Sequence, residues 1–361
     1  MIISLLMLYL LCNFVPIFIK MYIRITHLVL TALVMMACER PANPAADSEF
    51  TDELRLATTP VKNQGASSVC WMYAMLSTIE TDRLSQGDSV NLSVAFPLRR
   101  YIEEGAAEAM LGGRRHAITM RGTACMALSL LDTYGAAPYD SYPAEGVNYD
   151  ALARGVNAMA RRSQSLSHLR RQVGDMLDSR MGALPQRVYM LHAQYSFGEF
   201  ARSVYAQDYQ ALTSFTHHPF GRRVVLELPD NHRRDSFLNV PLDTLMHAID
   251  RALDQGYAVC WEGDISEPGF SFSRGVATLP HSPRYDQQLR QRWFERRQTT
   301  DDHCMCIIGR AHDRQGHPYY IAKNSWGTDN PFGGMMYISR DYIRMKTIAI
   351  VINNETCHIR L

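Results

Sequence analysis

The apolar residues of this chain change their repeat near residue 212, and that change limits the fold more than any single motif. Before it, apolar residues recur at helical spacing: Met75, Leu76, Ile79 and Leu84, then Val94–Ala107, then Ala127, Leu128, Leu130 and Leu131. A basic block from about 150 to 211 continues the pattern through Leu166, Leu169, Val173, Met176 and Leu177. Arg161, Arg162, Arg170 and Arg171 fall on its other, solvated face. After residue 212 the runs are short and β-like: 223–228, 258–261, 304–309, 319–323 and 348–352, with an amphipathic helix over 242–255 between them. The layout is α+β. A mainly helical half over 50–211, including an insertion at about 150–211, meets a β-rich half over 212–361. A cleft between such halves is a natural site.

The stretch from Gln64 to Tyr73 reads as a loop entering a helix, with Cys70 at the junction. The first turn of a helix offers free backbone N–H groups and a partial positive charge, which favour a thiolate. A lone cysteine is more often a small buried hydrophobe. A second stretch shifts the balance. His303 stands directly before a predicted strand, and Asn324-Ser325-Trp326-Gly327 directly after the next one. A thiol nucleophile needs a base to share its proton, a group to hold that base and a donor for the oxyanion. Cys70, His303, Asn324 and Gln64 supply one residue type for each role.

Gln64, Cys70-Trp71, His303 and Asn324-Ser325-Trp326-Gly327, in that order, resemble the signature of papain-like cysteine peptidases. Ser67 stands where the parent family has a disulfide cysteine. That change, the helical insertion and the segment 214–220 are similar to the bleomycin hydrolase and aminopeptidase C branch. The resemblance implies a two-subdomain papain-like fold without cofactor or metal, acting on peptides or proteins. It implies Cys70 as nucleophile, His303 as its proton partner and Asn324 as the residue that orients His303. Trp326 would shield that contact, and the Gln64 amide with the Cys70 N–H would bind the oxyanion. Gly122 and Thr123 resemble the substrate-binding segment, with Cys125 either bordering a specificity pocket or packing beneath the helix. Asp302 could tune His303 or hold a substrate amine, and is otherwise a solvated loop carboxylate. In that branch a C-terminal arm restricts cleavage to free N-termini. Here the tail after Asn353 is short, so both an aminopeptidase and an open-cleft endopeptidase fit, with the family favouring the first.

Other classes lose their warrants. Net charge is +1 in 361 residues, which gives no support to nucleic-acid binding. No phosphate-loop, dinucleotide, zincin or serine-elbow motif is present. Adjacent His217 and His218 would diverge on a helix or strand, so no metal site is expected there. Cys304 and Cys306 would share one face of a strand as free buried thiols. Acyl transfer to amines on the same residues is disfavoured by the Asn-Ser-Trp-Gly segment. A non-catalytic lipid-anchored binding protein would be expected to have lost the cysteine or the histidine.

The N-terminus reads as a targeting segment over 1–37, with two apolar runs separated by Lys20-Met21 and a basic residue at Arg24. Ala37-Cys38 resembles a bacterial lipobox, which makes Cys38 the lipidated residue and 38–49 a flexible tether. Plain secretion and a retained transmembrane anchor are the other readings of the apolar runs, and Met21 is an alternative start. Each reading exports the domain; the first makes it a periplasmic or cell-surface lipoprotein. Oligomeric state is left open.

Overall fold

The computed structural model describes residues 49–356 apart from 191, 205–207, 281, 283 and 284. The targeting segment, Cys38, most of the tether and the last five residues lie outside the described residues. From Phe50 onward the chain forms one compact unit.

In chain order the elements are β1 (Phe50–Arg55), α1 (Cys70–Ser85), α2 (Ala95–Gly112), α3 (Ala124–Tyr134), α4 (Tyr149–Arg162) and α5 (Leu166–Met181). A small hairpin of β2 (Val188–Met190) and β3 (Ala193–Tyr195) precedes α6 (Phe197–Val204). Then come β4 (Tyr209–Thr213), β5 (Arg222–Val225), β6 (Ser236–Asn239), α7 (Leu242–Asp254), β7 (Val259–Gly263), β8 (Phe270–Ser271) and β9 (Val276–Ala277). The chain closes with α8 (Gln287–Glu295), β10 (His303–Asp313), β11 (Pro318–Lys323), β12 (Met335–Ser339), α9 (Arg340–Lys346) and β13 (Thr347–Asn353). The α+β class is as expected.

The halves are not consecutive pieces of sequence. β1 pairs antiparallel with β10, from Phe50 opposite Asp313 to Arg55 opposite Gly309, so the chain starts in the β-rich half before crossing to the helices. The boundary at 211/212 falls inside β4, which pairs with β13 and already belongs to the sheet. The insertion also carries the β2–β3 hairpin, which its helical spacing concealed. The large sheet runs β5-β6-β4-β13-β7-β10-β11-β12-β9-β8. Its middle strands are buried along nearly their whole length.

α1 packs against β10 and β7 on one side and α3 on the other. Its predicted apolar stripe is only part of what it buries. Every residue from Ala74 to Asp82 is inaccessible, including Ser77, Thr78, Glu80 and Asp82. A helix buried all round is a central element of a larger core rather than an amphipathic surface helix. α1 therefore fixes where Cys70 stands relative to the sheet.

Candidate active site

Cys70 is the first residue of α1, and the preceding Val69 supplies no side-chain cap. No acidic residue stands in the first turn either. The helix start thus keeps its electropositive N–H groups uncompensated at the thiol. The Cys304 thiol, hydrogen-bonded to Cys70, and then His303 beside it hold the Cys70 thiol well below the ordinary cysteine value, against the opposing effect of burial. Cys125, Cys260 and Cys306 behave in the opposite way, because burial pushes their thiols up. All five described cysteines are unbridged.

His303 opens β10, and its partner in the β7 ladder is Gly263. Its ring is buried, and Nε2 lies 2.7 Å from Asn324 Oδ1. The Ser325 N–H donates to the same Oδ1 at 2.8 Å, which fixes the orientation of the amide. An oxygen only accepts, so Nε2 carries the hydrogen and Nδ1 is left for the thiol proton. The Trp326 ring lies 4.6 Å from the imidazole and is backed edge-on by Phe272 at 5.3 Å.

Gln64 is tied to the same segment from the other side. Its backbone N–H donates to the Ser325 carbonyl at 2.8 Å, and Ser325 Oγ donates to its Oε1 at 2.5 Å. Its Nε2 donates to the Ser67 carbonyl at 2.7 Å and keeps one further N–H. Asn63 and Trp326 form an isolated antiparallel bridge beside it. The link between the Gln64 loop and the Asn324 segment gives no sign in the sequence, because Ser325 resembles any small turn residue.

Cys70, His303, Gln64 and Trp326 line one open cleft of about 360 Å³, together with Gly122 and Asp301. Gly122 is needed there: a Cβ on it would lie 2.8 Å from Met126 Sδ and 3.0 Å from Trp71 Cε2. Thr123 does not face the cleft as expected. It is fully buried and caps α3, its Oγ1 accepting from the Met126 N–H at 3.4 Å. Cys125 packs partly buried against the helical core. Asp302 is exposed at the cleft and accepts from Thr300 Oγ1 at 3.0 Å.

The two histidines correct the expectation from adjacency. Their rings tilt together at 4.4 Å, and both Nε2 atoms reach Glu227, at 3.2 and 3.1 Å. His217 Nδ1, however, accepts from the Gln291 amide at 2.9 Å, and the Gln291 carbonyl is held by the Thr216 N–H. His217 Nε2 then carries a hydrogen and donates to Glu227, an arrangement of hydrogen bonds in which that nitrogen has no free lone pair for a metal.

Residues 189–358 match the model of the Peptidase C1-like family. That segment holds His303 and Asn324, while Cys70 and Gln64 precede it. The sequence has no match among curated proteins. Among solved structures, PepW from Lactobacillus rhamnosis HN001 is similar over 85% of this chain and 82% of that one, at 18% identity and a TM-score of 0.66. The bromelain protease of Ananas comosus, solved with the E64 inhibitor, is a more distant likeness at 14% identity and a TM-score of 0.39, over 81% and 93% of the two chains. The architecture is that of the papain-like cysteine peptidases. This chain is papain-like in fold, and its β-rich half carries the Peptidase C1-like sequence pattern.

Proposed function

We propose that the protein is a cysteine peptidase that uses Cys70, His303, Asn324 and Gln64. One observation carries the reading: an uncapped helix start presents Cys70 to a histidine whose far nitrogen is already held by Asn324 at 2.7 Å. Cys70 attacks the peptide carbonyl as thiolate. The negative charge that develops on oxygen meets the Cys70 N–H and the remaining Gln64 amide hydrogen. His303 Nδ1 gives its proton to the leaving amine, an acyl-enzyme thioester forms, and water hydrolyses it with His303 as base. The direct test is labelling of Cys70 by an epoxide inhibitor of papain-like enzymes, with Cys70→Ala as control. Mass spectrometry should find one adduct, on Cys70. No adduct would favour a binding protein that has kept the fold.

The branch that the sequence resembles favours aminopeptidase action over endopeptidase action. Comparing free and N-acetylated peptides, before and after removal of residues 355–361, tests this: a C-terminal block predicts that truncation opens the enzyme to acetylated substrates. The lipobox-like Ala37-Cys38 supports export and lipid anchoring. Metabolic labelling with a radioactive fatty acid should mark the wild-type chain and not Cys38→Ala.

A further inference from the structure

Three carboxylates border the cleft: Asp230, Asp301 and Asp302. Two have evident partners. Asp230 accepts from Arg121 Nε at 2.6 Å, and Asp302 from Thr300. Asp301 is different. It is only 8% exposed, and its Oδ2 meets no donor. Behind it stands Glu262 of β7, opposite Cys304 in the ladder and 1% exposed. Glu262 Oε2 accepts from the Ala124 N–H at 3.2 Å at the start of α3, while Oε1 meets no donor. Burial pushes both carboxyl groups above their ordinary values, and the Glu262 charge adds to this at Asp301, which favours a proton on the pair. Arg121, the cation at this edge of the cleft, gives its second contact to the Asp301 backbone carbonyl at 3.3 Å and leaves both orphan oxygens unanswered.

This chain supplies donors where a buried carboxylate is structural. Glu80 receives Thr59 Oγ1, Lys62 Nζ and the Leu92 N–H, at 2.5, 2.6 and 2.6 Å. Asp82 receives Tyr209 Oη and the Ala258 N–H, both at 2.7 Å. Asp301, which lines the cleft, has no such donor to Oδ2, and Glu262 behind it has none to Oε1. Leaving two acceptors buried without donors is costly unless something else supplies the hydrogens.

We propose that Asp301, backed by Glu262, receives a cationic group of the substrate, an ammonium or guanidinium, in the cleft beside Cys70. The inference rests on the peptidase reading and adds to it the substrate's charge. The cation donates to Asp301 Oδ2, and any proton on the pair is released to solvent. It comes either from a lysine or arginine side chain or from the free α-amine of the substrate.

The test uses the full chain and two ratios of kcat/KM. The first compares lysine with norleucine, two residues before the scissile bond, in N-acetylated coumarin dipeptides. The second compares free with N-acetylated leucyl coumarylamide. A side-chain cation predicts a first ratio of about tenfold or more that falls towards one in Asp301→Asn and Glu262→Gln and is restored in part by Asp301→Glu. An α-amine predicts the same collapse in the second ratio. The proposal is overturned if neither ratio exceeds one, or if neither moves in the variants. If Cys70 takes no label and nothing is cleaved, the peptidase reading alone has failed. The pair is then read by the thermal shift that agmatine gives: a rise in Tm present in wild type and absent from Asp301→Asn supports the site, and no rise overturns it.

Discussion

The two ends of α1 bury polar groups against the same sheet and do opposite things with them. At the C-terminal end, Glu80 closes a network in which Lys62 also donates to the Leu92 carbonyl at 3.0 Å. Lys323 donates to Thr59 Oγ1 at 2.8 Å, and Thr59 in turn to Glu80. Asp82 is held by Tyr209 and Ala258. Each carboxyl group there receives hydrogen-bond donors from inside the protein. At the N-terminal end, the helix is uncapped, the Gln64 amide keeps a free hydrogen, and Asp301 and Glu262 each keep one oxygen without a donor. A polar interior that satisfies itself holds two halves together. One left incomplete towards a cleft is held in a state that a ligand completes. Both lie on a single helix of sixteen residues, so fold and site share one scaffold.

The sharpest way to separate the two ends is Cys70→Ala. Peptide cleavage should fall by about 10⁵-fold or more, as for loss of a nucleophile elsewhere. The urea midpoint should stay close to wild type, because the thiol at the helix start closes no buried network. A large loss of stability would show that the N-terminal end is structural after all. Glu80→Ala should do the reverse. Removing the only acid from the network leaves Lys62 without its counter-ion and the Leu92 N–H without an acceptor, a loss of about 3–5 kcal/mol in urea unfolding. The folded fraction should still take the epoxide label on Cys70.

Gln64→Ala tests whether the oxyanion donor is independent of the scaffold. Turnover should drop by about 10²–10³. Gln64 also accepts from Ser325, so Ser325→Ala is the companion variant: a smaller loss there would place its role in orienting Gln64.

The smallest effect concerns pH. Burial pushes the Asp82 carboxyl up to about 7, against the hydrogen bonds from Tyr209 and the Ala258 N–H. Its folded-state pKa is raised above the unfolded value of 3.8. The folded chain therefore keeps a proton that the unfolded chain releases, and this group's contribution is largest at low pH and lost as pH rises from about 4 to 7. Asp82→Asn should flatten that fall in stability relative to wild type, read as the difference in urea midpoint between pH 4 and 7. Glu262 has the same sign, with burial pushing it up to about 8, so the difference between variant and wild type is the quantity to measure.

Much of the site was legible because its residues are chemically distinctive and stand at element boundaries. Cys70 begins a helix, His303 begins a strand, and Asn324 follows the next one. Thr123 was misread because its place beside Gly122 suggested contact with substrate, whereas a threonine before a helix serves equally well as a cap. His217 and His218 were expected to diverge, but they lie in the turn between β4 and β5, where the alternation of a strand does not apply. The insertion's hairpin, Val188–Tyr195, was hidden by strands only three residues long. Glu80 and Asp82 look like an ordinary solvated helix face until the surrounding sheet is in place.

The sequence by itself determined the order of helical and β-rich segments, the position of Cys70 at a helix start, and the residue types proposed here as base, orienter and oxyanion donor. These follow from local periodicity and from side-chain chemistry, which do not depend on distant contacts. Only the tertiary structure decided that Gln64 is clamped to Ser325 across 261 positions, that β1 returns to the sheet through β10, and that Glu262 and Asp301 each keep one oxygen without a donor. Those are pairings between remote segments. Whether a buried polar atom is satisfied depends on which neighbours the fold brings to it, and no local pattern in the chain encodes that.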